Sequence, residues 1–497
     1  MSYLGLDIGT SGCKAVVFND AGEQVAAAFR EYPLLVPEDG WAELDSEDVC
    51  AKCGEVIREV ALLTSADPVR AMGISSQGEA FTPIGRDGAI LGHAMVSSDS
   101  RAAAMVAEFC GEFGAEQLYA LTGHTASPMF SLFKLLWLRH HRPGLWQAAA
   151  KFLCFEDLLH HKLGLEPAIG YPLAGRTMLF NVMTHQWDGQ ILAAAGLVPG
   201  QLARPLPSGA AVGRLPAAVA GALGLQAGVL VVAGGHDQSC GALGAGIVAK
   251  GMAMYATGTV ECITPAFERP VFGEGLFKNN YCTYDFAVPG MYTTVAYSLT
   301  GGNILKWYRD ELAFPERESA RQDGRNVYQA ILGSLPGQPS KLLVLPYFTP
   351  TGTPYFDGTT AGAIIGLRLN TTREEILRAL LEGVAFEMRL NLALLDEAGI
   401  AIDELRAIGG GSKSPAWNQL KANVMNKPIT TVAVTEAGCL GVAMLAKAAC
   451  TATPLVEIVA AWVKTTGLIL PQPEFAPHYE RQFAKYRQLY PALRRIG

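Results

Sequence analysis

The residues that could carry chemistry lie around two short runs, each of which has a Gly-Thr pair at a tight turn. The first run, residues 5–18, reads GLDIGTSGCKAVVF and holds one acidic residue, Asp7, at the bend. The second run, residues 254–263, reads MYATGTVECI and repeats this outline in the other half of the chain. Such a turn leaves backbone N–H groups and a hydroxyl free to bind an anion. A single Gly-Thr turn would mean little, because such turns join many hairpins, but two of them predict a phosphate site between two lobes.

Asp237 is the most attractive candidate for a catalytic residue. It comes just after the glycine pair Gly234 and Gly235 at the end of a predicted strand, where a carboxylate can meet a ligand at close range. As a general base it would accept the proton of an attacking hydroxyl, a role typically worth about 10²–10⁴ in rate. The alternative is an N-cap for a helix that starts near Gln238, which Asp residues often provide. The spacing of Asp237 after the glycine pair favours neither the general base nor the N-cap.

The first turn also carries candidates for a metal ion and for phosphate oxygens. Asp7 could hold a water of a phosphate-bound Mg²⁺, because hard divalent cations prefer carboxylates and water. Taken alone, Asp7 is somewhat better explained as a turn residue that bonds its own backbone. Lys14 lies on the same hairpin and could reach phosphate oxygens, although a solvated lysine on an exposed strand face is equally ordinary.

Three charged residues of the first half, Glu79, Asp99 and Arg101, could bind sugar hydroxyls. Carboxylates and guanidinium groups bind polyols, but a surface salt bridge explains the same residue types and by itself explains them better. The glycine run 409–411, followed by Ser412, would let a flat ring approach the backbone closely, although a bare glycine run is a weak signal.

These residues need elements that bring them together. Short β-like runs alternate with longer helical runs, which predicts an α/β fold. Ligands of open α/β sheets collect at the carboxyl ends of strands, and four apolar strands are predicted to end in small or polar residues. Those ends are residues 7–11, 75–79, 234–238 and 409–412. We therefore expect a phosphate turn, two polar clusters and a glycine-rich loop to face one cleft.

The clearest elements are a set of strands and one long helix. The strands are predicted at residues 3–8, 15–18, 69–74, 229–233, 253–256, 342–345 and 405–408. The helix begins at Arg373, where Thr372 and Glu375 form a capping box, and apolar residues recur along one face. Gly399 ends it, so the helix reaches about Ala398. We interpret this helix as part of the core.

The chain is 497 residues long, too long for one ordinary core, so two or three domains are expected. The Gly/Ala-rich segment 241–250 separates the two halves, just before the second Gly-Thr hairpin. A boundary there predicts two lobes of similar size, 1–242 and 243–497.

Composition excludes several classes of partner. The net charge is −7 and no long basic run occurs, so neither nucleic acid nor an anionic membrane surface is an expected partner. Half of the residues are hydrophobic and 17% are charged, as in a well-buried globular protein. The chain shows no long uninterrupted apolar stretch and no secretory signal, and its ten cysteines are scattered. These observations favour a cytoplasmic protein.

Taken together, these pieces resemble the FGGY carbohydrate kinases, the family of xylulokinase and glycerol kinase. The matching motifs follow one order over nearly the whole chain: 7–11, 129–137, 233–238, 256–259, 302–307, 381–386, 408–412 and 436–441. No single motif is decisive, but their order is specific.

The resemblance implies two actin-like (ribonuclease H-like) lobes with a cleft for ATP and a small carbohydrate or polyol. Asp237 would be the catalytic base, and Asp7 and Asp237 would hold Mg²⁺ through water. The first lobe would bind sugar and phosphates, and the second would bind the nucleotide. With the charged candidates above, the substrate-binding set is Gly78, Glu79, Asp99, Arg101, Asp237 and Gln238. The nucleotide-binding set is Thr10, Ser11, Lys14, Gly258, Thr259, Gly302, Lys306, Gly410, Gly411 and Ser412. Relatives are often dimers or tetramers, and by analogy a homodimer is the expected assembly.

The substrate is less well defined than the family. Xylulokinases typically have Met-His where this chain has Gly78-Glu79, and glycerol kinases have Arg-Glu there. Gln238 also resembles glycerol kinases, whereas Met129 stands where they place a substrate tyrosine. The stretch 349–354 lacks the Glu-Arg that usually precedes its Thr-Pro, which bears on closure or charge contacts in the second lobe.

We therefore expect ATP-dependent phosphorylation of a hydroxyl on a small ketose or sugar alcohol. A pentulose such as xylulose comes first, and a polyol such as glycerol or a tetritol second. A nucleotide-gated sensor of the same fold, without catalysis, is the alternative from a different class. The presence of Asp7, Asp237 and both Gly-Thr turns argues against the sensor.

Overall fold

The computed structural model describes residues 1–495, which form two lobes, each built around one large β-sheet. The strands of the first half are β1 (Ser2–Ile8), β2 (Gly12–Phe18), β3 (Gln24–Glu31), β4 (Glu43–Leu44), β5 (Val69–Ser76), β6 (Thr82–Gly85), β7 (Ala94–Met95), β8 (Ala149–Leu153), β9 (Ala168–Gly170), β10 (Phe180–Asn181), β11 (Gln186–Trp187), β12 (Arg204–Leu206), β13 (Ala211–Arg214) and β14 (Leu230–His236). The helices of the first half are α1 (Ser46–Leu63), α2 (Ala103–Phe113), α3 (Ala115–Thr122), α4 (Ser131–His141), α5 (Pro143–Ala148), α6 (Phe155–Lys162), α7 (Tyr171–Gly175), α8 (Gly189–Ala195), α9 (Ala217–Ala222) and α10 (Asp237–Gly244).

The first lobe contains a six-stranded sheet with the order β13-β14-β5-β1-β2-β3. Strand β5 lies between β1 and β14 and is parallel to both, so the carboxyl ends of all three strands lie at one edge of the sheet. Strands β1 and β2 form an antiparallel hairpin around the first Gly-Thr turn. The predicted convergence of residues 7–11, 75–79 and 234–238 is therefore confirmed.

The second half repeats this plan. Its strands are β15 (Gly251–Thr257), β16 (Glu261–Phe267), β17 (Tyr284–Asp285), β18 (Tyr292–Thr293), β19 (Ala296–Ser298), β20 (Leu343–Leu345), β21 (Ala363–Ile365), β22 (Ile402–Ile408), β23 (Ile429–Val432) and β24 (Thr465–Ile469). Its helices are α11 (Glu274–Lys278), α12 (Gly302–Glu311), α13 (Phe314–Asp323), α14 (Val327–Gly333), α15 (Arg373–Glu397), α16 (Pro415–Met425), α17 (Ala437–Thr451), α18 (Leu455–Trp462) and α19 (Ala476–Leu493).

The second sheet has the order β17-β18-β16-β15-β22-β23-β24, with β19 also paired to β16. Strands β15 and β16 form the second Gly-Thr hairpin, and β22 lies parallel to β15, so the loop after β22 meets that hairpin turn. All the strands predicted from the sequence are present, within β1, β2, β5, β14, β15, β20 and β22.

Helix α15 confirms the predicted long helix, and 16 of its 25 residues are buried. Its N-terminus is capped by Thr372, whose Oγ1 accepts the backbone N–H of Glu375 at 3.2 Å. Among the described residues the Glu375 side chain makes no return bond to Thr372, so only half of the predicted capping box forms. None of the helices in residues 1–495 is long and apolar enough to cross a membrane.

Helices α17 and α18 belong to the second half in sequence but pack against the sheet of the first lobe. One hydrophobic cluster joins Tyr3 and Val16 of that sheet to Val442 of α17 and Trp462 of α18. The close approach needs glycine, because a Cβ at Gly73 of β5 would lie 2.6 Å from the carbonyl oxygen of Val442. The sequence-based division at 242/243 falls inside α10, which lies against α17.

Candidate active site

Asp237 lies at the carboxyl end of β14, in the first turn of α10. Its Oδ1 accepts the backbone N–H of Gln238 at 2.6 Å, and its Oδ2 accepts no hydrogen bond from residues 1–495. The N-cap residue of α10 is His236, so Asp237 does not take the capping role that the sequence left open. Burial, together with Asp7 and Glu79 nearby, raises the pKa of Asp237 to about 7. This carboxyl can therefore exchange a proton near neutral pH.

The raised pKa predicts the pH dependence of catalysis by Asp237. A general base works only when ionised, and kcat/KM for MgATP reports the protein before the nucleotide and its metal bind. We therefore expect this kcat/KM to be constant well above pH 7 and to fall about tenfold per unit below the pKa of about 7. Initial rates measured across the neutral range, in buffers of constant ionic strength, test this. A profile without an acid limb in that range would contradict it.

Asp7 lies at the end of β1, beside the same sheet edge. Its Oδ1 accepts the hydroxyl of Ser75 at 2.6 Å, so it bonds the neighbouring strand and not its own turn. Burial raises the pKa of Asp7. At the tip of the turn, Thr10 and Ser11 are exposed, and Thr10 Oγ1 donates to Gln77 at 3.3 Å. The turn therefore presents a hydroxyl pair and a carboxylate to the cleft.

Lys14 is not a freely solvated lysine. Its Nζ lies 2.6 Å from Glu436, the residue that precedes α17, and both side chains are about one-third exposed. This ion pair joins the first hairpin to the second half of the chain.

The second Gly-Thr turn is supported by a buried ion pair that the sequence did not indicate. Lys421 Nζ of α16 lies 2.7 Å from Glu261 Oε1 and donates to Thr257 Oγ1 at 2.6 Å. All three side chains are buried. The turn is also joined to α12, because Gly302 donates its N–H to the carbonyl oxygen of Gly258 at 2.9 Å. The backbone of this turn is thus held from two sides.

A cavity of about 560 Å³ opens beside this turn, a size that suits a small organic ligand. Four predicted nucleotide-binding glycines line it, namely Gly258, Gly302, Gly410 and Gly411. Trp417 forms part of the wall, and its buried Nε1–H has no partner among the described residues.

Three further predicted nucleotide-binding residues lie near this cavity without forming its wall. Thr259 follows Gly258 in the turn, and its carbonyl oxygen accepts the N–H of Asn303 at 3.2 Å. Ser412 donates its hydroxyl to the carbonyl oxygen of Gly409 at 2.7 Å. Lys306 is exposed on α12. Their contacts with nucleotide remain predictions.

The cavity predicts the effect of one substitution. A Cβ at Gly410 would meet no atom within 4 Å, so Gly410→Leu should leave the fold intact while its side chain enters the cavity. We expect the Kd for ATP to rise about tenfold or more, because overpacking a well-filled site typically costs 1–3 kcal/mol. Gly337→Leu is the matched control, since Gly337 also has open space but does not line the cavity. Equal nucleotide affinity in the two variants, by calorimetry, would contradict the prediction.

Glu79 is held in an unusual conformation by an ion pair. Its backbone has φ of +63°, in the left-handed region that non-glycine residues seldom adopt. Its buried carboxylate is paired with the guanidinium of Arg176, just after α7, which also lies 4.9 Å from the ring centroid of Phe130. The sequence analysis missed Arg176, although it is the only charged residue in the run 168–184.

The α4 helix fixes the backbone of Glu79. Ser131 donates its hydroxyl to the carbonyl oxygen of Glu79 at 2.8 Å, and the fully buried Lys134 donates to the carbonyl oxygen of Val96 at 2.7 Å. Burial lowers the pKa of Lys134 to about 8. These contacts give the motif 129–137 a structural role beside the site.

Asp99 and Arg101 form a buried pair with each other. Arg101 is bonded to Asp99 and stacks 3.6 Å from the ring centroid of Trp41, while Asp99 accepts the N–H of Ala42 at 2.8 Å. Both side chains are buried, so the pair is not a surface salt bridge. Their side chains bond to each other and to residues 41–43. Their contact with sugar remains a prediction.

The remaining substrate candidates do lie with Asp237. A Cβ at Gly78 would be 3.0 Å from the ring of His236. Gln238 follows Asp237 in α10, and its buried Oε1 has no hydrogen-bond partner within residues 1–495. Thus Gly78, Glu79, Asp237 and Gln238 form one cluster, next to Asp7 and the first Gly-Thr turn.

Known proteins match the chain over its whole length. The family model described as "FGGY family of carbohydrate kinases, N-terminal domain" matches residues 2–244, and the corresponding C-terminal domain matches residues 253–450. The chain is 27% identical to the xylulose kinase of Bacillus subtilis (strain 168) over 495 residues, covering 99% of this chain and 97% of the relative. It is 32% identical to the glycerol kinase of Ralstonia pickettii (strain 12J) over 461 residues, covering 90% and 89%.

Solved structures agree with the family models. The crystal structure of xylulose kinase from Rhodospirillum rubrum superposes with a TM-score of 0.91 at 27% identity, covering 100% of this chain and 99% of that one. The two sheets, each with a Gly-Thr hairpin, are the two lobes of the actin-like, ribonuclease H-like fold. The chain therefore belongs to the FGGY family of carbohydrate kinases.

Proposed function

We propose that this carbohydrate kinase transfers the γ-phosphoryl group of ATP to a hydroxyl of a small ketose or sugar alcohol, first of all a pentulose such as xylulose. The observation that carries the proposal is the placement of Asp237. One of its carboxylate oxygens accepts the N–H of Gln238 and the other accepts no bond from residues 1–495, at the sheet edge that also holds the first Gly-Thr turn. In this scheme residues 1–242 bind the sugar and phosphates, and residues 243–497 bind the nucleotide.

Asp237 would act on the attacking hydroxyl. Its Oδ2 takes the hydroxyl proton while the substrate oxygen forms a bond to the γ-phosphorus. The bond from the γ-phosphorus to the bridging oxygen breaks, and that oxygen keeps the electron pair and leaves on ADP. The two Gly-Thr turns would bind phosphate oxygens through N–H groups and hydroxyls, with Thr10 on one lobe and Thr259 on the other. Closure of the lobes would exclude the water that otherwise hydrolyses ATP.

The residues at this edge fit a Mg²⁺ ion. Asp7 and Asp237 bring two carboxyl groups together, and burial raises the pKa of each, an energetic cost that a cation would relieve. Within residues 1–495 no group of three or more His, Cys, Asp or Glu side chains could hold a metal. The phosphates of ATP would therefore supply the other ligands. When bound, Mg²⁺ would neutralise the charge that develops on the phosphates.

A polyol is the second candidate substrate. Glu79 and Gln238 are the residue types that glycerol kinases have at these positions, and a glycerol kinase is among the relatives. Gly78 and Met129 lack the polar groups that glycerol kinases use there. The mixture of residues that match and do not match glycerol kinases supports a ketose or a tetritol as the substrate over glycerol itself.

The test is ADP release by the purified protein with MgATP and one candidate substrate at a time. The panel holds pentuloses, hexuloses, glycerol, tetritols, aldonic acids and simple aldoses. We expect the highest kcat/KM for a pentulose, with polyols next. A higher kcat/KM for a simple aldose than for any ketose or polyol would overturn the substrate assignment. Tight MgATP binding without turnover on any compound would favour the nucleotide-gated sensor.

A further inference from the structure

We infer that His236 is a positioning residue for the general base: its imidazole, held by Tyr284, sets the orientation of the Asp237 carboxylate so that Oδ2 faces the substrate hydroxyl. The inference rests on the proposed function, because it assigns a role next to the residue proposed as the base.

The first step is the fixed position of the ring. His236 Nδ1 lies 3.0 Å from the hydroxyl of Tyr284, and the two rings meet edge to face with centroids 5.8 Å apart. His236 is 5% exposed and Tyr284 is fully buried. A side chain packed and bonded in this way has little rotational freedom, so it can hold a neighbour in place.

The second step is the space that the ring occupies. A Cβ at Gly78 would lie 3.0 Å from His236 Cδ2 and 3.1 Å from its Nε2. The imidazole therefore fills the volume that a side chain at position 78 would take. The glycine at 78 and the histidine at 236 are complementary, and any larger residue at 78 must push the ring away from its place.

The third step is the contact with the base. His236 Nε2 lies 3.1 Å from Asp237 Oδ1, the same oxygen that accepts the N–H of Gln238. Two nitrogen atoms thus lie against Oδ1, while Oδ2 is left without a partner in the described residues. Because only Oδ1 has neighbouring nitrogen atoms, we infer that Oδ2 is the oxygen that accepts the substrate proton.

The fourth step is the tautomer of the ring. A neutral imidazole has one N–H. If Tyr284 donates to Nδ1, the proton lies on Nε2 and its dipole faces the Asp237 carboxylate. The reverse tautomer would turn a lone pair toward that carboxylate and repel it.

Other titratable or charged groups lie near these two side chains and contribute to any pH effect. They are Asp7, Glu79, His124, Arg176, Cys240, Cys262 and Tyr284. None of them is changed in the variants below, so a difference between variants reports on His236 itself.

The experiment compares His236→Leu, which removes the N–H, with His236→Gln, which can place an amide N–H near the position of Nε2. We expect kcat of His236→Leu to fall about tenfold at the alkaline plateau, the usual size of the effect of losing a polar contact with a charged group. We also expect its acid limb in kcat/KM to move up by about one pH unit, because the ionised carboxylate loses a stabilising dipole. His236→Gln should recover most of both effects, and the Kd for MgATP should be unchanged in both variants.

His140→Leu, on the exposed end of α4, is the matched control and should behave as the parent protein. Gly78→Ala offers a second measurement that does not depend on the stability of a residue-236 variant. It should lower kcat by displacing the ring, and Gly78→Ala combined with His236→Gly should cost less than the sum of the two changes. A parent-like kcat and acid limb in folded His236→Leu would overturn the inference. Absence of any phosphorylation by the parent protein would instead count against the proposed function.

Discussion

Asp237→Asn is expected to reduce turnover by about two to four orders of magnitude while the protein still binds MgATP. Asn has the shape of Asp and can still accept the N–H of Gln238 through its amide oxygen. It cannot accept the proton of the attacking hydroxyl at neutral pH. The loss should therefore appear in kcat, measured by ADP release at saturating substrate, while calorimetry should still show MgATP binding.

The control for this prediction is Asp188→Asn. Asp188 caps α8, where its side chain accepts backbone N–H groups, and Asn serves equally well as an N-cap. This variant should keep parent-like turnover. A turnover of Asp237→Asn within a few fold of the parent would mean that Asp237 is not the base. The reaction would then proceed by positioning alone, or the sensor alternative would apply.

Lys421→Met is expected to lower the free energy of unfolding by about 3–5 kcal/mol, because it leaves the buried carboxylate of Glu261 without a partner. Both side chains are at most 1% exposed, so water cannot compensate the charge that remains. The free energy of unfolding, from urea denaturation, measures this loss. The Kd for MgATP should rise as well, since Lys421 also bonds Thr257 in the cavity wall.

A double variant distinguishes two effects on stability, the loss of the ion pair and the burial of an unpaired Glu261 carboxylate. Lys421→Met combined with Glu261→Gln removes the unpaired charge while keeping an acceptor for the hydroxyl of Tyr255, so it should recover much of the stability. Lys278→Met, which breaks an exposed pair with Glu274 on α11, should produce no measurable loss. Equal stability of the Lys421 and Lys278 variants would show that the buried pair does not support the second turn.

The parts of this protein that were predictable from its sequence are those that local patterns determine. A strand, a glycine-bearing turn and a second strand are adjacent in sequence, so both hairpins and their Gly-Thr turns were recognised. The clustering of Asp7, Glu79 and Asp237 followed from one general rule, that parallel strands carry ligand sites at their carboxyl ends. The same rule predicted that the glycine-rich loop 409–412 faces one cleft with them, and in the structure Gly410 lines the cavity beside the second turn.

The unpredicted parts depend on contacts between residues that are far apart in the chain. Arg176 bonds Glu79 across 97 residues, and Lys421 bonds Thr257 across 164. No sequence periodicity relates such distant positions. Taken singly, each of these charged residues is of a type that is common on protein surfaces. Asp99 and Arg101 show the converse case, since their residue types predicted sugar ligands or a surface salt bridge, whereas they form a buried pair whose guanidinium stacks on Trp41.

The packing of α17 and α18 on the first sheet has a consequence for expressing the two halves of the protein separately. A fragment that ends near residue 242 would lack both helices. Val16 and Tyr3, and with them an apolar face of the sheet, would then be exposed to solvent. Such a fragment should aggregate when expressed alone, and it should become soluble only when the remainder of the chain is co-expressed. A single crossover between the two halves of the sequence would therefore separate the first sheet from the two helices that pack on it.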